Sequence, residues 1–171
     1  MLPEFSIALL PEAIGPGGHA ALLIASWFGA GFVEPLRASL AVASVWPLAV
    51  LLAGRSALAL ALAAFSVAIV GAWSAEAWQD LLSIRDDRRI VADEVAGYLA
   101  GLALLGRTGW FGAAGFGALF LLLDRLKPWP FDRMEAMAGG VGVVADDLAV
   151  GMFLGLAILL VRALRTPIGG K

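Results

Sequence analysis

The chain has 171 residues, of which 61% are hydrophobic and 15% charged, against about 45–50% apolar and about 25% charged in an ordinary soluble domain. Its net charge of -2 gives no basis for nucleic-acid binding, and the absence of cysteine excludes disulfides, thiolate metal sites and cysteine-nucleophile catalysis together. The excess of Ala, Leu, Val and Gly predicts an all-α integral membrane bundle of short helices, with residues 1–171 as one membrane-embedded domain.

Met1 to Pro11 carries no basic stretch, so no cleaved signal peptide is expected. The apolar run between Glu12 and Glu34 is broken by Gly15, Pro16, Gly17 and Gly18, and its second part, 20–32, reads as a short half-helix. The single histidine, His19, falls in the glycine-rich break and reads as an interfacial loop residue. Two uncharged runs follow, bounded by Arg37, Arg55 and Glu76. Each is near the ~20 residues that span a hydrocarbon core. They predict helices over 38–53 and 56–75, a hairpin turning at Gly54-Arg55. The polar stretch 76–94 holds Gln79, Asp80, Arg85, Asp86, Asp87, Arg88 and Arg89, and reads as a solvated loop with a surface helix at its start.

Segments 95–105 and 110–123 are each short for a full crossing. Gly106-Arg107-Thr108-Gly109 between them makes a turn, so they predict a tight helical hairpin. Pro128 and Pro130 end the second of these helices. Gly139-Gly140-Val141-Gly142 reads as a flexible loop, and a last helix runs over 147–164. Trp73, Trp78, Trp110 and Trp129 lie near predicted helix ends, where tryptophan anchors a helix at the membrane interface. The patterns Gly97-x-x-x-Gly101 and Gly151-x-x-x-Gly155 suit close helix packing and carry no function of their own.

Five acids fall at predicted helix ends: Asp93 and Glu94, Asp124, then Asp146 and Asp147. Following the chain through its hairpins brings all five to one membrane face, a polar site at helix ends. Arg37, Arg85, Arg88, Arg89, Arg125, Lys127 and Arg133 share that face, with Arg55, Arg107, Arg162, Arg165 and Lys171 opposite. The small basic excess orients the acidic face to the cytoplasm. An acid within a membrane helix costs ~2.5 kcal/mol or more and needs a partner or a function. Carboxylates are hard oxygen ligands suited to Mg²⁺ or Mn²⁺, and a divalent cation relieves their repulsion. Helix capping and the helix dipole account for Asp93 and Asp147 without any metal. They do not account for the doubled pairs, nor for Asp124 at a helix C-terminus. Asp124 and Lys127, three apart, share a face of one helical turn, either as a local salt bridge or as an acid beside a phosphate-holding lysine.

The segments Ile90-Val91-Ala92-Asp93-Glu94-Val95-Ala96-Gly97, Asp124-Arg125-Leu126-Lys127-Pro128-Trp129-Pro130 and Gly139-Gly140-Val141-Gly142-Val143-Val144-Ala145-Asp146-Asp147 stand in an order and at separations that resemble the phosphatidylglycerophosphatase A family. Gly29-Ala30-Gly31-Phe32 is a weaker echo of its early motif. These are membrane enzymes that remove the terminal phosphate of phosphatidylglycerophosphate with Mg²⁺. The resemblance implies catalytic roles for Asp93, Glu94, Asp124, Lys127, Asp146 and Asp147, with the five carboxylates as ligands of Mg²⁺ or Mn²⁺. It implies a phospholipid phosphate as substrate and a multi-pass protein of the bacterial inner membrane whose site faces the cytoplasm. The chain also departs from the family. Leu121 stands where an arginine is usual, and Ala138 where a histidine often precedes Gly-Gly. Val33-Glu34 and Arg37-Ala38-Ser39 replace the family's Ser-Pro and Pro-Gly-Thr. Arg37, Arg125 and Arg133 are the candidates to hold phosphate instead. Two expectations follow: a metal-assisted lipid phosphatase, or a weakened or inactive relative acting as a membrane lipid-binding or scaffold protein.

Overall fold

Three apolar runs form helices long enough to cross a membrane: α2 (Arg37–Arg55), α3 (Ala57–Leu82) and α6 (Gly139–Arg165). Ahead of them lies α1 (Pro16–Ala25), and between α3 and α6 stand the shorter α4 (Ala92–Leu105) and α5 (Trp110–Leu126). The computed structural model describes residues 6–7, 15–84, 87–127, 129, 137 and 139–165. Arg85, Arg133, Pro128, Pro130, Ala138 and Lys171, all named above, lie outside the described residues.

The predicted all-α membrane bundle is the fold found, including the α2–α3 and α4–α5 hairpins. The first turns at Ser56, whose hydroxyl accepts the Ala59 N–H at 3.3 Å as the N-cap of α3. The second turns at Gly106 (φ 67), which ends α4. A two-residue antiparallel ladder, unforeseen from sequence, pairs β1 (Ser6–Ile7) with β2 (Val33–Glu34). Two residues are too few to show an alternating pattern.

Several boundaries differ from expectation. Proline is tolerated in the first turn of a helix, so Pro16 opens α1 instead of breaking it. His19 therefore sits on an exposed helical turn, its Nδ1 3.0 Å from the Gly15 carbonyl, and not in a loop. The predicted half-helix 20–32 is divided: α1 stops at Ala25, the chain reverses through Trp27, Phe28 and Gly29, all at positive φ, and a 3₁₀ turn occupies Ala30–Phe32. α3 continues to Leu82, so Glu76 lies within a helix.

The largest difference is at α6, which begins at Gly139 and absorbs the predicted glycine loop. A Cβ on Gly140 would strike the Ala72 carbonyl of α3, so the glycine serves a close helix–helix approach. The Gly140 N–H donates to the Glu76 carboxylate. That places an acid at the N-terminus of α6, where an unsatisfied N–H and the helix dipole favour one.

After α3, Ser83, Ile84 and Arg88 are exposed as a solvated loop would have them, but Asp87 and Arg89 to Val91 are docked. Trp78 is fully buried, which removes it from the interfacial anchors, while Trp73, Trp110 and Trp129 are exposed. Trp78 Nε1 donates to Asp87 at 3.1 Å, and the Arg89 guanidinium bonds the same carboxylate while lying over the Trp78 and Phe32 rings. Partial burial pushes the Asp87 carboxyl up, but the bonds from Arg89 and Trp78 outweigh it and hold it below its ordinary value. The Arg89 carbonyl lies where a Cβ on Gly31 would fall. Ile90 and Val91 beyond it are buried, so the entry to α4 is fixed from both sides.

Candidate active site

The geometry begins with two glycine stripes. A Cβ on Gly97 would meet the Asp147 carbonyl, and one on Gly151 would meet the Gly97 carbonyl. One turn on, Gly101 opposes Gly151, and Gly155 opposes Gly101. The two Gly-x-x-x-Gly patterns therefore face one another, and α4 and α6 run parallel with their backbones in contact. Asp93 and Glu94 stand one turn before Gly97, and Asp147 stands one turn before Gly151. The backbone contact thus carries these acids to the same level.

The result is a group of three carboxylates. One oxygen from each of Asp93, Glu94 and Asp147 lies within 4.8 Å of the others. Asp93 and Asp147 are only 9% and 3% exposed. α5 returns antiparallel to α4, with Phe120 against Gly97 and Phe116 against Gly101. Asp124 at its far end accordingly arrives beside Asp147. One oxygen each of Glu94, Asp124 and Asp147 is buried with no hydrogen-bond partner among the described residues. Buried carboxylate oxygens without a donor are costly. A hard divalent cation among them would supply the missing charge, so this donor set fits Mg²⁺ or Mn²⁺.

Asp146 is placed differently. Its Oδ2 accepts from Lys127 Nζ at 2.6 Å, and its Oδ1 accepts the Asp147 N–H at 3.0 Å. It stands outside the group of three. Lys127 ends α5 at φ 33, a left-handed cap, and that turn sends its side chain across to α6. Its resolved ion pair therefore spans 19 residues, where sequence spacing suggested Asp124. Asp146 and Asp147 also do not open α6. They lie about two turns inside it, where no free N–H awaits a cap, so capping does not explain them.

A cavity of about 840 Å³ covers the carboxylates. Asp93, Glu94, Asp124 and Asp147 line it together with Arg37, Arg88, Arg125 and Lys127. The predicted acids thus converge on one end of the helices, and Arg37 and Arg125 stand where a phosphate could reach them. Arg37 is held by Glu34 at 3.0 Å. Arg88 was missed as a phosphate-holding candidate. The sequence placed it on the acidic face only as one of a charged run, and in the structure it stands between Asp87 and Arg89, which are bonded to each other. Leu121 borders the cavity, so the family's usual arginine would have faced it.

The Lys127–Asp146 pair yields a first expected result. Lys127→Ala should lower turnover by about 10²-fold, the scale of losing one preorganised charge. Asp146→Asn added to it should cost little more, because residues acting as one unit are not additive. Full additivity in that cycle, measured by phosphate release, would show that the two act separately.

The chain matches the family described as Phosphatidylglycerophosphatase A over residues 23–162. It is 33% identical over 149 residues to a protein of Bacteroides thetaiotaomicron provisionally named phosphatidylinositol-3-phosphatase, a match covering 82% of this chain and 92% of that one. With phosphatidylglycerophosphatase A of Escherichia coli strain K12 it shares 39% identity over 75 residues, 42% of each chain. No solved structure matches it at a comparable level.

Proposed function

Because this chain belongs to the phosphatidylglycerophosphatase A family, and so is a membrane phosphatase, we propose that it hydrolyses the terminal phosphate of phosphatidylglycerophosphate to give phosphatidylglycerol. The observation that carries the reading is the set of buried, partnerless carboxylate oxygens of Glu94, Asp124 and Asp147 beneath a rim of cations. Water adds to phosphorus, the bond from phosphorus to the glyceryl oxygen breaks, and the alcohol and inorganic phosphate leave. Asp93, Glu94 and Asp147 would hold Mg²⁺, with Asp124 beside them. The cation would supply charge neutralisation at the phosphate oxygens and a more acidic water. Lys127, fixed by Asp146, offers a point charge to the phosphate. Arg37, Arg88 and Arg125 bind the anionic headgroup at the rim. The whole chain acts as one domain, with this end at the cytoplasmic face of a bacterial inner membrane.

The name carried by the Bacteroides relative supports a second substrate of the same chemistry, a phosphoinositide monoester. Phosphate release from each lipid, with and without Mg²⁺, separates them. The expected result is Mg²⁺-dependent release with a preference for phosphatidylglycerophosphate. No release from any lipid phosphate by folded, Mg²⁺-supplied protein would overturn the assignment. Alanine at Arg37, Arg88 or Arg125 is expected to lower kcat/KM by about 10²-fold at the position that holds phosphate. Less than a tenfold loss at all three would remove these three arginines from phosphate binding.

A further inference from the structure

The carboxylate cavity adjoins a second, apolar one. A groove of about 380 Å³ lies between α2 and α5, and Ser39 and Leu121 belong to the walls of both. From that junction it passes Ala43 on α2 and Ala118 and Ala114 on α5, three small exposed residues that leave the channel open. It reaches Trp46, which lines its far part. There the Trp46 Nε1 donates to the Trp110 carbonyl at 3.1 Å, and the two indoles meet edge to face at 5.6 Å. From Ser39 to Trp46 the groove follows α2 for about 10 Å, at 1.5 Å per residue. It opens on the outside of helices whose exposed side chains are mainly apolar. An occupant apolar along its length suits it, with a polar end reaching the neighbouring cavity, where Arg37, Arg88, Arg125 and Lys127 stand among the carboxylates and offer an anionic headgroup its partners.

We propose that this groove seats one acyl chain of the lipid substrate and thereby sets the headgroup over the carboxylates. This rests on the reading of the chain as a lipid phosphatase and adds the part of the protein that recognises the lipid tail. Leu121 at the junction marks the change from headgroup to chain. An arginine there would bring a charge to the groove's mouth. The seating gains little from hydrophobicity, since the chain leaves one apolar medium for another. Its effect is on position, and misplacement by about 1 Å at a reacting centre can cost ~10²-fold.

Two measurements test this. The full chain in phosphatidylcholine nanodiscs is photolabelled with phosphatidic acid carrying a diazirine in one acyl chain. Label is expected on α2 and α5 around Ala43, Trp46 and Ala118, displaced by unlabelled phosphatidic acid but not by added phosphatidylcholine. Ala118→Phe, and Ala43→Phe from the opposite wall, should abolish that label. Each should lower turnover of a long-chain substrate by tenfold or more relative to a dihexanoyl one, and Ala118→Ser should not. Label spread over all lipid-facing helices, or an unchanged ratio between long and short chains, overturns the groove while leaving the phosphatase reading in place. Cross-links between two copies through α2 and α5 would assign the groove to a second chain and also overturn it. Displaceable label confined to the groove in a protein that releases no phosphate would sustain the groove and refute the activity.

Discussion

Asp147→Asn is expected to lower phosphate release by on the order of 10³-fold, the upper scale for removing one preorganised charged group from a reacting site. Asp147 is the point at which the arrangement closes. It shares the three-carboxylate group with Asp93 and Glu94, adjoins Asp124, and keeps one oxygen buried without a partner. Asparagine preserves its shape and removes its charge. Mn²⁺ binding should weaken in parallel, because a neutral amide oxygen is a poorer ligand for a hard cation than a carboxylate. Folding should survive, since a buried carboxylate crowded by like charges is an electrostatic cost that the substitution relieves. The measurements are phosphate release and Mn²⁺ titration on wild type and variant in the same detergent. Equal Mn²⁺ affinity in the two would remove Asp147 from the metal site, and equal turnover would remove it from catalysis.

The second large effect is expected from a residue with no chemistry. Gly151→Leu should lower turnover by about 10²-fold or more and weaken Mn²⁺ binding as well, although position 151 touches no carboxylate side chain. Any Cβ there falls on the Gly97 carbonyl, so α4 and α6 must separate. Overpacking of this kind costs typically 1–3 kcal/mol. The larger consequence is positional, because Asp93 and Glu94 ride on one of these helices and Asp147 on the other. Separating the helices widens the carboxylate group, and about 1 Å at a reacting centre suffices for a ~10²-fold loss. Gly115→Ala is the control: its added Cβ meets nothing within 4 Å, and it should match wild type in all three measurements of turnover, Mn²⁺ binding and thermal unfolding. A Gly151→Leu protein with wild-type turnover would mean that the α4–α6 contact does not set the site.

What could be read from the chain alone was whatever depends on neighbours in sequence. Hydropathy runs of membrane length predicted α2, α3 and the body of α6, and Gly106 to Gly109 predicted the α4–α5 turn. Counting hairpins then put Asp93, Glu94, Asp124, Asp146 and Asp147 at one end of the molecule, where a single cavity now joins all but Asp146. The motifs around those acids carried the family. The misplaced start of α6 has one cause. Gly139 to Gly142 has the local preference of a loop, yet in a bilayer each backbone N–H and C=O must be paired, so the glycines stay helical. Their missing side chains then let helices touch. That use of glycine cannot be seen without the partner helix, and it decides that α6 starts early and that Asp146 and Asp147 lie inside it. Only the tertiary structure could sort the acids into Asp93, Glu94 and Asp147 together, Asp124 beside them, and Asp146 on Lys127. Each of these rests on contacts between residues distant in the chain, which no local pattern encodes, and the closest of them exist because Gly97 and Gly151 have no Cβ to keep two backbones apart.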